Sequence, residues 1–128
     1  MPIRIVRLGS ARVPDEGVRI GTVRRPPRGV PKAEFGSRNY YDVWLPTLSP
    51  TSELVSEALA ATTEAEWKAF VRKFRAEMNH GDASKVLDTL AALSATANFS
   101  VGCYCEDENR CHRSVLRELL IERGATLA

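Results

Sequence analysis

The chain has 128 residues, of which 44% are hydrophobic and 27% charged, and a formal net charge of +2. That is the size of one ordinary domain, able to bury a core without disulfide staples. Its apolar runs are too short for a membrane-spanning helix, and its net charge is too small to argue for nucleic acid as a partner. The N-terminus, MPIRIVRLGS, alternates charged and apolar residues where a signal peptide would carry an apolar core. The expectation is a soluble, cytoplasmic protein with no membrane contact.

Ile3, Ile5 and Leu8, with Arg4 and Arg7 between them, predict a first strand. The Gly-, Pro- and Asp-rich stretch after it is a turn. Val18, Ile20, Thr22 and Val23 predict a second strand, which must end by Arg25 because Pro26 and Pro27 cannot continue a sheet interior. Lys32 to Arg38 reads as loop, and Asn39 to Leu45 as a short strand rich in aromatic and β-branched residues.

Ser49 or Thr51 can cap a helix with Leu54, Val55, Ala58 and Leu59 on one face. Thr63 with Glu66 three residues on is a capping box. It opens a helix whose inward stripe is Trp67, Phe70, Val71, Phe74 and Met78. Asn79-His80-Gly81 ends it, and Asp82 opens a third helix with Val86, Leu87, Leu90 and Leu93 inward. His80 reads as an exposed residue beside that break. Phe99, Val101 and Cys103 alternate with Ser100, Gly102 and Tyr104 as a strand. A polar loop and a last helix from about Cys111 follow, with Val115, Leu116, Leu119 and Leu120 inward. Strands early, helices in the middle and a strand feeding a helix predict a single α/β domain over 1–128, a small, mostly parallel sheet flanked by helices. Ligands in such folds sit beyond the C-terminal ends of the strands.

Charge is unevenly spread. Residues 1–45 hold nine Lys/Arg against four Asp/Glu, and residues 46–128 nine against twelve. Arg4 and Arg7 read as a solvated face; Arg24, Arg25 and Arg28, on a proline-stiffened loop, read as a site for an anion. All three cysteines fall between 103 and 111. A disulfide-framed secreted domain spreads an even number along the chain, so these look like a local site in a reducing compartment.

The segment Cys103 to Arg113 therefore carries the chemistry. Cys111 and His112 fall at the start of a helix, where unpaired N–H groups and neighbouring cations favour a thiolate and negative charge. Three readings compete. Cys105 or Cys111 can be a thiol nucleophile with His112 as base and Arg113 beside it, while Arg19, Arg24, Arg28 and Arg110 hold a phosphate- or carboxylate-bearing ligand. The spacing from Cys105 to Arg110 does not match a phosphatase loop. Alternatively Cys103, Cys105, Cys111 and His112 can bind zinc or iron, although adjacent residues such as Cys111 and His112 rarely reach one ion together. Thirdly, Cys105 and Cys111 can form a redox pair. The plain reading is that Cys103 is a small core residue and that His112 and Arg113 decorate a helix. Trp67 and Phe74 read as core; Tyr40, Tyr41 and Trp44 fit either core or a pocket wall.

Four expectations follow. Cys105 and Cys111 should lie close together, with Arg28 or Arg24 at the same hollow. Cys111 should be more reactive than Cys103. Replacing Cys105 or Cys111 should remove turnover rather than fold, since the length suffices to fold without metal. A main role in nucleic-acid binding is not expected; the alternatives are a metal-binding or redox-sensing module, or a nucleic-acid-associated accessory protein.

The runs Asp15-Glu16-Gly17-Val18-Arg19-Ile20, Arg24-Arg25-Pro26-Pro27-Arg28-Gly29-Val30-Pro31-Lys32, Asp42-Val43-Trp44-Leu45-Pro46 and Pro50-Thr51-Ser52-Glu53-Leu54 stand in this order along the chain. With Trp67-x-x-Phe70, Arg75-x-Glu77-Met78 and the Cys105 … Cys111-His112-Arg113 turn, the chain resembles the family called domain of unknown function 488. Members usually carry Trp-Pro-Arg-Gly where this chain has Pro26-Pro27-Arg28-Gly29. The resemblance implies a compact, bacterial α/β domain with parallel strands. It implies no reaction and no cofactor.

Overall fold

Four strands and four helices carry the computed structural model, which describes residues 2–128. The strands are β1 (Ile3–Arg7), β2 (Val18–Gly21), β3 (Val43–Trp44) and β4 (Phe99–Cys103). They form one sheet in the order β1-β4-β2-β3, with every pair parallel. The helices are α1 (Ser52–Ala60), α2 (Glu64–Met78), α3 (Gly81–Leu93) and α4 (His112–Glu122). The fold is the α/β domain that the order of strands and helices predicts. Among the described residues no helix is long and apolar enough to cross a membrane.

The register explains which face packs where. Ile5 pairs with Val101, and Val101 with Ile20, so these three side chains share one face. That face joins a single core with Leu54 of α1, Phe70 and Phe74 of α2, Leu87 of α3 and Leu116 of α4. Arg4, Ser100 and Arg19 stand side by side on the opposite face. A parallel sheet is buried on both sides, and here the second face is covered by the loops before β2 and β3 rather than by helices. Glu16 and Tyr41, both buried, come from those loops. Gly17 makes the first loop possible. It sits at φ +77°, and a Cβ there would lie 2.0 Å from the Asn98 carbonyl oxygen.

The helix starts follow their caps. The Thr51 side chain accepts from the Leu54 N–H, and Thr63 and Glu66 form the reciprocal capping box. Trp67, Phe70, Phe74 and Met78 are buried as their period requires.

Five local expectations are corrected. The segment 39–45 is extended only at Val43–Trp44, because Asn39 turns with φ +64° and Tyr41 tucks its ring under β2. β2 stops at Gly21, although the Thr22 N–H still bonds the Gly102 carbonyl. One turn of 3-10 helix, Lys32–Glu34, stands in the expected loop. Leu59 is 81% exposed, since α1 is short and its last turn overhangs an opening between helix and sheet. Leu93, at the end of α3, is also exposed.

Candidate functional site

The opening under α1 is a cavity of about 670 Å³, a volume typical of small-molecule sites. It lies beyond the C-terminal end of β4, where a parallel sheet presents its strand ends. One wall is apolar: Val55, Ala58 and Leu59 of α1, with Phe70 of α2. The rim opposite is the stiff loop Arg24-Arg25-Pro26-Pro27-Arg28, and Arg110 also lines the space. The lining contains four arginines and no Asp or Glu. All three cysteines and His112 are part of it.

The sulfurs converge because β4 ends at Cys103, the chain loops through 104–110, and α4 starts immediately after Cys111. Cys103 Sγ is 3.8 Å from Cys105 Sγ. Cys111 caps α4 in extended conformation, at φ −133° and ψ 150°. The change from extended to helical backbone at this point brings Cys111 Sγ to 3.8 Å from His112 Nδ1. The donor atoms of Cys103, Cys111 and His112 all lie within 4.8 Å of one another. Although adjacent in the chain, Cys111 and His112 bring their donor atoms close together.

The neighbouring thiols shift one another. The contact with Cys103 holds the Cys105 thiol below the ordinary thiol range. Cys111 and the Arg113 guanidinium act in the same direction on Cys105, against its partial burial. The same Cys105 contact pushes Cys103 up, and burial adds to this. Cys111 is lowered, chiefly by Cys103. Cys105 is half-buried, whereas Cys111 and Cys103 are 2% and 6% exposed. The most accessible thiol is therefore the one that most favours its charged form.

Backbone groups fix the imidazole. His112 Nε2 is 2.6 Å from the Thr22 carbonyl oxygen and 3.2 Å from Thr22 Oγ1. Thr22 Oγ1 spends its own hydrogen on the Gly102 carbonyl, so both neighbours accept, and Nε2 is the protonated nitrogen. The Nδ1 lone pair is thus left facing Cys111 Sγ. Phe74 packs its edge against the ring at 5.6 Å between centroids. Thr22 gives no sign of this role in the sequence, since a backbone carbonyl carries no residue signature.

Arg113 is 4% exposed. One Nη donates to the Cys105 carbonyl at 2.5 Å, while Nε has no hydrogen-bond partner. No acidic residue pairs with it among the described residues.

The other arginines part company. Arg28 and Arg25 are exposed at the rim and unpaired among the described residues. Arg24 lines the cavity, but its guanidinium is pinned by the Ser49 and Pro50 carbonyls. Arg110 bonds Glu64 at 3.1 Å and lies over the Trp67 ring. Arg19, read from the sequence as an anion-binding residue, is corrected. It is 0% exposed and grips Glu16 at 2.7 and 2.9 Å, with the Ser10 and Asn39 carbonyls on its remaining donors. Strand alternation turns it away from the cavity side of the sheet.

Fold and site together define a parallel α/β domain with a thiol–imidazole cluster at the strand ends, under an arginine-rimmed cavity. Residues 3–124 match the family described as the active DUF488-N3 subclade, and the chain belongs to it. It is a family of domains of unknown function. No curated protein and no solved structure matches the chain.

Proposed function

We propose that this protein is a small enzyme acting on a phosphate- or carboxylate-bearing small molecule, with Cys105 as its nucleophile. One observation carries the reading: a cavity of ligand size has four arginines and no carboxylate in its lining, and the most accessible of its three thiols lies in it. Among the described residues the guanidinium groups of Arg28 and Arg25 have no partner, which leaves them to pair with the anion. Arg24 and Arg110, held by other contacts, add positive field and shape. The apolar wall of Val55, Leu59 and Phe70 takes the uncharged body of the ligand. Arg113 stabilises the charged sulfur, which attacks the electrophilic atom of the ligand as the leaving group departs with its electron pair. The description of the subclade as active accords with a catalytic role.

Paired alkylation tests this reading. Iodoacetate and iodoacetamide share one chemistry and differ in charge. Cys105 should react several-fold faster with iodoacetate, and Arg28→Ala with Arg25→Ala should abolish that preference, because local positive potential raises the concentration of the anionic reagent. Site-resolved mass spectrometry reads the ratio. Equal rates with both reagents, or a preference untouched by removing both arginines, would refute the proposal.

A further inference from the structure

Beneath Cys105 the cluster has the dimensions of a metal site. A tetrahedral zinc ion with sulfur ligands at about 2.3 Å has sulfur–sulfur edges of roughly 3.8 Å. Cys103 and Cys105 already stand 3.8 Å apart. Cys103, Cys111 and His112 lie within 4.8 Å of one another, all buried, so a contraction of well under an ångström per atom brings these three to ligand spacing, and Cys105, in contact with Cys103, would swing in as the fourth. The imidazole offers Nδ1 while Nε2–H is tied to a carbonyl, the arrangement that orients metal-bound histidines.

Charge supplies an independent argument. Arg113 is a buried guanidinium with no acidic partner among the described residues and an unbonded Nε. An uncompensated buried charge is costly. The nearest counter-charge to Arg113 is the Cys105 thiolate, which the guanidinium favours. Three thiolates, a neutral imidazole and a divalent ion sum to −1, which keeps a negative cluster beside it.

We propose that Cys103, Cys111 and His112 hold a zinc ion, with Cys105 closing the tetrahedron on the cavity side. Any protons still on the thiols leave as the ion binds. Thiolate and imidazole ligands suit zinc, and the cluster contains no oxygen donors of the kind magnesium or calcium requires. The inference deepens the reading of the same cavity: Cys105 becomes a metal-held thiolate presented to the ligand. It does not depend on what anion enters.

The test uses untagged protein purified without chelator, assayed for metal by elemental analysis. The reduced, metal-stripped protein is then titrated with cobalt(II), with zinc as competitor. Stoichiometric zinc is expected, with a tetrahedral cobalt spectrum carrying thiolate charge-transfer bands. Cys111→Ser and His112→Ala should each weaken binding more than tenfold. Because those buried variants can fail to fold, Cys105→Ser at the half-exposed position carries the decision. It should still bind cobalt, with charge-transfer intensity reduced by about one thiolate of three. Substoichiometric zinc with an octahedral cobalt spectrum would overturn the proposal, and so would an unchanged charge-transfer intensity in Cys105→Ser. Zinc retained without an iodoacetate preference removes the anion reading alone; the preference retained without zinc removes the metal site alone.

Discussion

Replacing Arg19 should cost more than any other single charge change in this protein. The guanidinium makes two bonds to Glu16, at 2.7 and 2.9 Å, and one each to the Ser10 and Asn39 carbonyls, both at 2.8 Å. Glu16 also accepts from Ser100 Oγ at 2.6 Å. The pair thus ties the loop before β2 and the turn at Asn39 onto the centre of the sheet. In Arg19→Met the carboxylate stays buried without its cation, and two carbonyls lose their donors. Removing one partner of such a pair costs about 3–5 kcal/mol, which for a domain of this size lowers Tm by roughly 10–20 °C. In Glu16→Met/Arg19→Met both charges go together, and most of that loss should return, because a buried ion pair and an apolar pair of similar volume are close in stability. Urea unfolding of wild type, both single variants and the double variant gives the coupling as a double-mutant cycle. An Arg19→Met penalty under about 1 kcal/mol, or a double variant as unstable as the sum of the singles, would show that the pair does not hold this face of the sheet.

The same pair sets an acid limit. Burial pushes the Glu16 carboxyl up, but the bonds from Arg19 and Ser100 outweigh it and hold it at about 2, against 4.5 in the unfolded chain. Between those values the unfolded chain carries the extra proton, so stability present above about pH 4.5 should be lost as pH falls towards 2, and Glu16→Gln should flatten that part of the stability–pH curve. Gly21→Ala places a Cβ 2.3 Å from Tyr41 Cδ2 and should destabilise by about 1–3 kcal/mol through overpacking. Thermal melts check it, and a Tm equal to wild type would mean that Tyr41 moves freely.

The parts of this molecule legible in its sequence are those where a side chain declares its own environment. The stripe from Trp67 to Met78, the Thr63–Glu66 box and the apolar alternation of β4 each repeat at the period of the element they build. The convergence of the three thiols and His112 was legible too, because all four stand within ten residues at the end of a strand and the start of a helix. The role of Arg19 was not. An arginine in a strand looks the same whether it faces solvent or a buried carboxylate, and only the Gly17 turn, which depends on a close approach to Asn98, brings Glu16 under it. Tyr41 has strand propensity but is held outside β3, since the space beside Gly21 exists only after β2 and β4 pair. The tautomer of His112 rests on the Thr22 carbonyl across the sheet, ninety residues away in the chain.

The cations of the N-terminal third bear on what this protein binds. Nine Lys/Arg stand in residues 1–45, a density that in sequence invites nucleic acid. In the fold, Arg4, Arg7, Arg12 and Arg19 pair with Asp15, Glu106, Asp42 and Glu16. Arg24 is pinned to backbone carbonyls. Among the described residues, Arg25, Arg28, Lys32 and Arg38 remain without such partners. Arg25 and Arg28 both line one cavity, as the proposed small-anion ligand requires, whereas a duplex or single strand needs a continuous basic track with stacking platforms. With two or three phosphates engaged, log Kd should change with log salt at a slope of about 2 to 3. Any binding at low salt then weakens roughly 10- to 60-fold between 50 and 200 mM. Fluorescence anisotropy with single-stranded and duplex oligonucleotides at both salt concentrations measures it. Submicromolar Kd at physiological salt, or a slope well above 3, would mean that the paired arginines open to form a track and that the cavity is not where this protein meets its anions.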